Sequence, residues 1–189
     1  SLTDATIGNS VTSIADYTFD NCTSLSSVTI GNNVTRIGEH AFKKRKSLTN
    51  VIVPSSVTII DDYAFISCES LINVSIQNSE TSIGSHVFDS CDNLVKINFN
   101  GTISQWNDSI RLIGVVIKCT DGAIGNMKNV IIDGLKYQLG LNNAKLIGYT
   151  STPQIITIPE NIEYVDCTFK VTSIVDNAFS GCESLISVT

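Results

Sequence analysis

Apolar residues recur along this chain with a step of 23 positions. Phe19, Phe42, Phe65 and Phe88 carry the beat, and Ile14, Ile37, Ile60 and Ile83 each stand five residues before a Phe. Leu25, Leu48, Leu71 and Leu94 follow six residues after it, and Val28, Val51, Val74 and Ile97 nine after. Ile30, Val53, Ile76 and Phe99 complete the set. The frame is already running at Leu2, Ala5 and Ile7. It returns near the other end as Val171, Ile174, Ala178, Phe179, Cys182, Leu185 and Val188. A fixed period of this length is the signature of stacked supersecondary units.

The spacing within one unit predicts its shape. Leu25-x-x-Val28-x-Ile30 ends in a period of two, with Ser27 and Thr29 on the opposite side, which is a short half-buried strand. Gly31-Asn32-Asn33 turns the chain, as Pro54-Ser55-Ser56 does one unit later. Val34-x-x-Ile37 is a second short extended segment. Residues 38–46, holding Ala41 and Phe42, read as one or two helical or 3₁₀ turns. A unit this small buries its apolar side only by stacking on its neighbours, so equivalent strands should pair in parallel about 4.8 Å apart. The expected result is a solenoid.

The motif Cys68-x-x-Leu71-x-x-Val74-x-Ile76…Ile83-Gly84-x-x-x-Phe88-x-x-Cys91 resembles the BspA-like leucine-rich repeat, over residues 1–99 and 153–189. The fold expected is a right-handed leucine-rich-repeat superhelix, mainly β with short helical or 3₁₀ turns and a parallel sheet on one face. The resemblance implies a cell-surface or secreted protein of a host-associated microbe. It also implies adhesion to host cells or matrix proteins such as fibronectin. Gly101-Thr102-x-x-Gln105-Trp106 and Cys119-Thr120-Asp121-Gly122 are similar to degenerate segments between such repeats.

One solenoid domain over residues 1–189 is expected, with regular repeats in 1–99, an irregular repeat and β-hairpin insert in 100–152, and resumed repeats in 153–189. Thr102 is placed to cap a short helix carrying Trp106 and Ile110. Residues 115–118, 130–132, 136–139 and 144–147 read as strands. Asp121-Gly122, Asp133-Gly134 and Asn142-Asn143 supply hairpin turns. Ile156-x-Ile158-Pro159 repeats the Val51-x-Val53-Pro54 ending, and nine extra residues then precede Val171. Neither end shows the polar cap of a terminal repeat, so a piece of a longer array, or ends packed on other molecules, is expected. End-to-end self-association is one such arrangement.

Composition narrows the function. Hydrophobic residues form 42% and charged ones only 16%, which excludes a disordered chain. Twelve Lys and Arg against 18 Asp and Glu give a net charge of −6, which argues against nucleic acid as a partner. The longest apolar run, residues 112–117, is too short to insert in a membrane, and no leader is evident at Ser1-Leu2-Thr3-Asp4.

Candidate chemistry is sparse. Cys22, Cys68, Cys91 and Cys182 stand three residues after a repeat Phe, either as buried thiols or, for Cys68 and Cys91, as a disulfide between adjacent units. Cys119 and Cys167 pair only if the irregular region brings them together. No C-x-x-C supports zinc. Tyr17, His40, Tyr63 and His86 share one repeat position and form an aromatic ladder, read as packing or as a contact stripe. Lys43, Lys44, Arg45 and Lys46 read as an exposed loop or a contact for polyanions such as acidic glycans or lipid headgroups.

The outward strand positions Ser27, Thr29, Asn50, Ile52, Asn73, Ser75, Lys96 and Asn98 are the candidate partner-binding face. They suit repeated weak contacts with a protein or a glycan, or else form an inert solvated surface. Five sequons, at Asn21, Asn33, Asn73, Asn100 and Asn107, follow from the composition and matter only in a eukaryotic surface protein. No catalytic motif, cofactor site or metal site is present, so no enzyme is expected. The repeat glycine position holds Ala15, Gly38, Asp61, Gly84 and Val175, which reads as an undemanding site. An adhesion module is the first functional reading, with a passive stalk or a glycan-binding module as alternatives.

Overall fold

A computed structural model describes residues 2–106, 112, 114–151 and 154–189. Each regular coil contributes two short strands. In chain order they are β1 (Asp4–Thr6) and β2 (Ser13–Ile14), β3 (Ser27–Thr29) and β4 (Arg36–Ile37), β5 (Asn50–Val53) and β6 (Ile59–Ile60), β7 (Asn73–Ile76) and β8 (Ser82–Ile83), then β9 (Lys96–Phe99). Pairing is parallel and steps by one repeat: Asn50 lies opposite Asn73 and Asn73 opposite Lys96. β2, β4, β6 and β8 form a second parallel ladder, so two sides of the coil carry sheet rather than one. The apolar alternation set this register, because a one-residue slip would turn Val51, Val74 and Ile97 into water.

The third side of the coil, from residue 38 to 46 and its equivalents, is a run of turns. Ala41 N–H donates to Gly38 O and Lys43 N–H to His40 O, while Phe42 N–H donates across to Ala64 O and Lys44 N–H to Ile66 O. Local and inter-coil bonds thus alternate. Helix is prevented because each coil holds two left-handed residues four apart: Tyr17 and Asn21, His40 and Lys44, Tyr63 and Ser67, His86 and Ser90. That geometry costs an L-residue roughly 1–2 kcal/mol, offset here by bonds that a helix would not make.

The irregular region keeps the stack but changes the step. The 3₁₀ turn Ile103–Gln105 follows Thr102, whose N–H donates to Gln105 Oε1 at 2.8 Å, and Trp106 ends it against Phe99. Ile110 lies outside the described residues. β10 (Val116–Cys119) pairs in parallel with β9, Val116 opposite Lys96, so this coil closes three residues short of the repeat. β11 (Gly122–Ile124) turns back on β10. β12 (Asn129–Ile132), β13 (Leu135–Leu139) and β14 (Asn143–Tyr149) form an antiparallel meander.

β15 (Ile155–Ile156), β16 (Asn161–Tyr164), β17 (Cys167–Ile174) and β18 (Ser187–Val188) complete the chain. The nine extra residues before Val171 build the β16–β17 hairpin. β17 joins β14 in parallel and β15 joins β18, so coiling resumes.

Two hydrophobic clusters fill the interior. One runs from Ile14 to Cys119, and the other gathers Val116, Tyr137, Leu139, Leu146, Ile162 and Phe169. Phe19, Phe42, Phe65 and Phe88 line up inside the first, with ring centroids 5.0, 4.9 and 5.7 Å apart. Phe65 is fully buried between two other rings. Phe65→Ala should therefore cost about 3–5 kcal/mol. A thermal melt that moved by less than about two degrees would contradict the stacked column.

Candidate functional site

The repeats position the candidate groups on three surfaces. On the first ladder the outward side chains stand in rows, one per strand. Ser27, Thr29 and Asn50 are exposed, and Ile52 is 58% exposed, an isoleucine held in water by strand alternation alone. Asn73, Ser75, Lys96 and Asn98 are half-buried. Asn73 Nδ2 donates to Asn50 Oδ1 at 3.1 Å, which joins the two coils by a side-chain amide pair.

The further half of this face is covered from within the chain. The tip of the β16–β17 hairpin, Val165-Asp166, has both residues in the left-handed region and reaches back to the sheet. Lys96 Nζ lies 3.3 Å from Asp166 Oδ2, and Lys118 Nζ donates to Asp166 O at 3.0 Å. Lys96, placed among the free outward residues by the sequence, is thus engaged in the chain itself. The Val-Asp tip carries no glycine or asparagine, so its composition gave no hairpin signal; the nine-residue excess was the available clue.

Two adjoining depressions mark the face. A cleft of about 340 Å³ is lined by Thr29, Asn32, Asn50, Ile52 and Gln77, at the place where no ladder joins β3 to β5. A trough of about 580 Å³ is lined by Ser75, Gln77, Asn98, Asn100, Lys118 and Thr120. Gln77 borders both. Amides, hydroxyls and one ammonium group offer hydrogen bonds, and Ile52 adds an exposed apolar side chain.

The rings of Tyr17, His40, Tyr63 and His86 stack 4.9, 5.1 and 5.2 Å apart, within 13° of parallel. Each inner ring spends both faces on its neighbours, so the column presents edges to solvent. His40 Nδ1 lies 3.2 Å from Glu39 Oε1, and His86 Nδ1 2.6 Å from Asp89 Oδ2.

The basic run requires a correction. Arg45 is 1% exposed, since it occupies the inward position that Cys22, Cys68 and Cys91 fill in other coils. Lys46 pairs with Glu69 at 3.2 Å, and only Lys44 and Lys46 are exposed. Four adjacent cations therefore do not form one exposed polyanion contact. The repeat glycine position is also more demanding than the sequence suggested: a Cβ on Gly38 or Gly84 would lie 2.5 Å from the Oδ1 of Asp16 or Asp62. Those carboxylates accept from Glu39 N–H and Ser85 N–H in the next coil.

None of the six cysteines is joined in a disulfide. Cys119, on the floor of the trough, and Cys167 sit close enough to influence one another. Among the described residues no group of three His, Cys, Asp or Glu could hold a metal ion, and no helix is long and apolar enough to cross a membrane.

Burial pushes the Cys119 thiol up to about 11, helped by Asp121 and Cys167. A raised folded-state pKa supports the fold below the unfolded thiol value, about 8.5, and that support is lost as pH rises through the folded value. The melting temperature should fall between about pH 8.5 and 11, and Cys119→Ala should flatten the fall. A parallel decline in both proteins would contradict this assignment.

A family model described as "BspA type Leucine rich repeat region" matches six copies over residues 1–110 and 154–189. Comparison with curated proteins gave no match. A crystal structure of a T. pallidum leucine-rich repeat protein is similar over 67% of this chain and 57% of its own, at 25% identity and a TM-score of 0.52. A leucine-rich repeat protein from Bacteroides ovatus is similar over the whole chain and 43% of its own, at 22% identity and a TM-score of 0.50. The chain thus spans about half the length of these solved relatives.

Proposed function

Because the chain belongs to the BspA-type leucine-rich repeat family, whose modules are generally protein–protein interaction scaffolds, we propose that it is a surface-displayed adhesion module that binds a host or matrix protein through its first ladder. Proteins of this type are typically secreted or held at the cell surface, and the family and fold are typically non-enzymatic. The observation that carries the reading is the open half of the ladder face. Ser27, Thr29, Asn50 and Ile52 stand exposed beside a cleft.

The contact would be centred on Ile52, the exposed apolar side chain beside the cleft, with Asn50 and Thr29 supplying hydrogen bonds at its rim. Lys96 lies against the hairpin tip and would bound the contact instead of leading it. A glycan-binding module is the second reading, favoured by the trough of amides and hydroxyls along Gln77, Asn98 and Asn100.

Immobilised fibronectin and other matrix proteins, with a glycan array alongside, test the proposal. Ile52→Asp should reduce protein binding by about tenfold or more, the effect of losing one buried anchor, while leaving the melting temperature unchanged. Glycan binding that depends on Asn98 and Asn100 would favour the second reading. Binding to neither array would leave the chain as a spacer and overturn both.

A further inference from the structure

β15 is joined in a ladder to β18 and to no other strand, while β12 and β13 belong to the sheet of the meander. The seam between these two sheets holds a pocket of about 370 Å³, at the lower end of the size range of small-molecule sites. Its two walls differ in character. The meander wall carries Asp133 and Tyr137, and the β15 wall carries Ile155, Ile156 and Pro159. The pocket shares no lining residue with the cleft at Ile52 or the trough at Gln77, so it is separate from the face assigned above.

Tyr137 gives the first sign of a ligand. It is 1% exposed, yet its hydroxyl hydrogen-bonds to no described residue. A buried phenol normally finds a partner, because an O–H withdrawn from water without one is costly. The hydroxyl is not sealed off, so it meets solvent where Tyr137 lines the pocket.

Asp133 gives the second. Its carboxylate has no ion pair and no hydrogen bond among the described residues. The turn that holds it is fixed. Asp133 and Gly134 are both left-handed, and Gly134 O accepts from Thr150 N–H at 2.8 Å and Thr150 Oγ1 at 3.0 Å. The carboxylate is thus presented from a defined place on the pocket wall.

The chemistry of the two walls selects the ligand. An ionised carboxylate only accepts hydrogen bonds, so the ligand must supply the donors, and a cation does so best. The phenol oxygen can accept from the same group. The opposite wall of Ile156 and Pro159 suits an unbranched carbon stem, which buries its methylenes while the charged head stays polar. An anion would meet Asp133 as a like charge, and the net charge of −6 also draws cations to the chain. We propose that this pocket binds a primary ammonium on a short aliphatic stem, held between Asp133 and Tyr137 with the stem against Ile156 and Pro159. A lysine side chain of a partner protein and a free alkylamine share that chemistry.

The test titrates the isotope-labelled chain with butylammonium chloride, butanol and sodium butyrate, followed by NMR. Butylammonium should shift the amides of 132–137 and 155–157 saturably. Butanol should bind about tenfold more weakly, the difference made by a charged hydrogen bond, and butyrate should not bind. Asp133→Asn keeps the turn, since Asn-Gly suits the same hairpin, and should weaken butylammonium by about tenfold. Tyr137→Phe, shown to be folded by its melt, should weaken it by about threefold. Nα-acetyl-lysine methylamide separates the sources: tighter binding than butylammonium points to a protein side chain and weaker binding to a free amine, and either supports the ammonium site. Absence of saturable binding, shifts confined to other segments, butanol binding as tightly as butylammonium, or full affinity in Asp133→Asn overturns the proposal.

Discussion

In-register stacking governs this molecule. Each regular coil is 23 residues long, so its side chains have copies of their own positions as neighbours in the adjoining coils. For apolar and aromatic residues that arrangement is favourable, as the Phe column shows. For charged residues it is not, because a charged column would place like charges at about the 4.8 Å strand spacing. The low charge content and the abundance of Ser, Thr and Asn follow from that constraint. Where acids do recur, at Asp16, Glu39 and Asp62, the chain compensates. Asp16 and Asp62 accept backbone N–H groups from the next coil, and Arg36 bridges Asp16 and Asp61 at 3.0 and 2.6 Å. The ring ladder alternates Tyr with His, so no two imidazoles are adjacent.

The same constraint explains what the irregular region does. Once β10 closes its coil three residues early, the phase of the apolar columns is lost and the first cluster ends near Cys119. A second cluster, built on the antiparallel meander and β17, takes over. The cost is a coil with excess length, and that length forms the β16–β17 hairpin. Its tip returns to Lys96 and Lys118, so loss of register in one part of the chain covers part of the face made by register in another.

The strands and their pairing were legible in the sequence because both depend on period alone. Val130, Tyr137 and Leu146 even marked the meander through alternation and Asp-Gly or Asn-Asn turns. Three things were not legible. The left-handed pairs such as His40 and Lys44 use residues with no strong preference for that region; inter-coil bonds impose it. The Val165-Asp166 turn is held by the ladder on either side. Arg45 read as one of four cations, and only its phase with Cys22 and Cys68 distinguished it from Lys44. Local charge pattern and repeat phase gave opposite answers there, and phase prevailed because the slot is defined by the coils above and below.

That slot bears on the face as well. A guanidinium is much larger than a thiol, and Arg45 belongs to the coil segment that leads into β5, the strand no ladder joins to β3. Close packing means that added volume inside a coil must be accommodated by its neighbours. The coil containing Arg45 is the one at which the first ladder separates, and the gap is the cleft lined by Thr29, Asn50 and Ile52. The outsized side chain and the opening thus fall in the same coil.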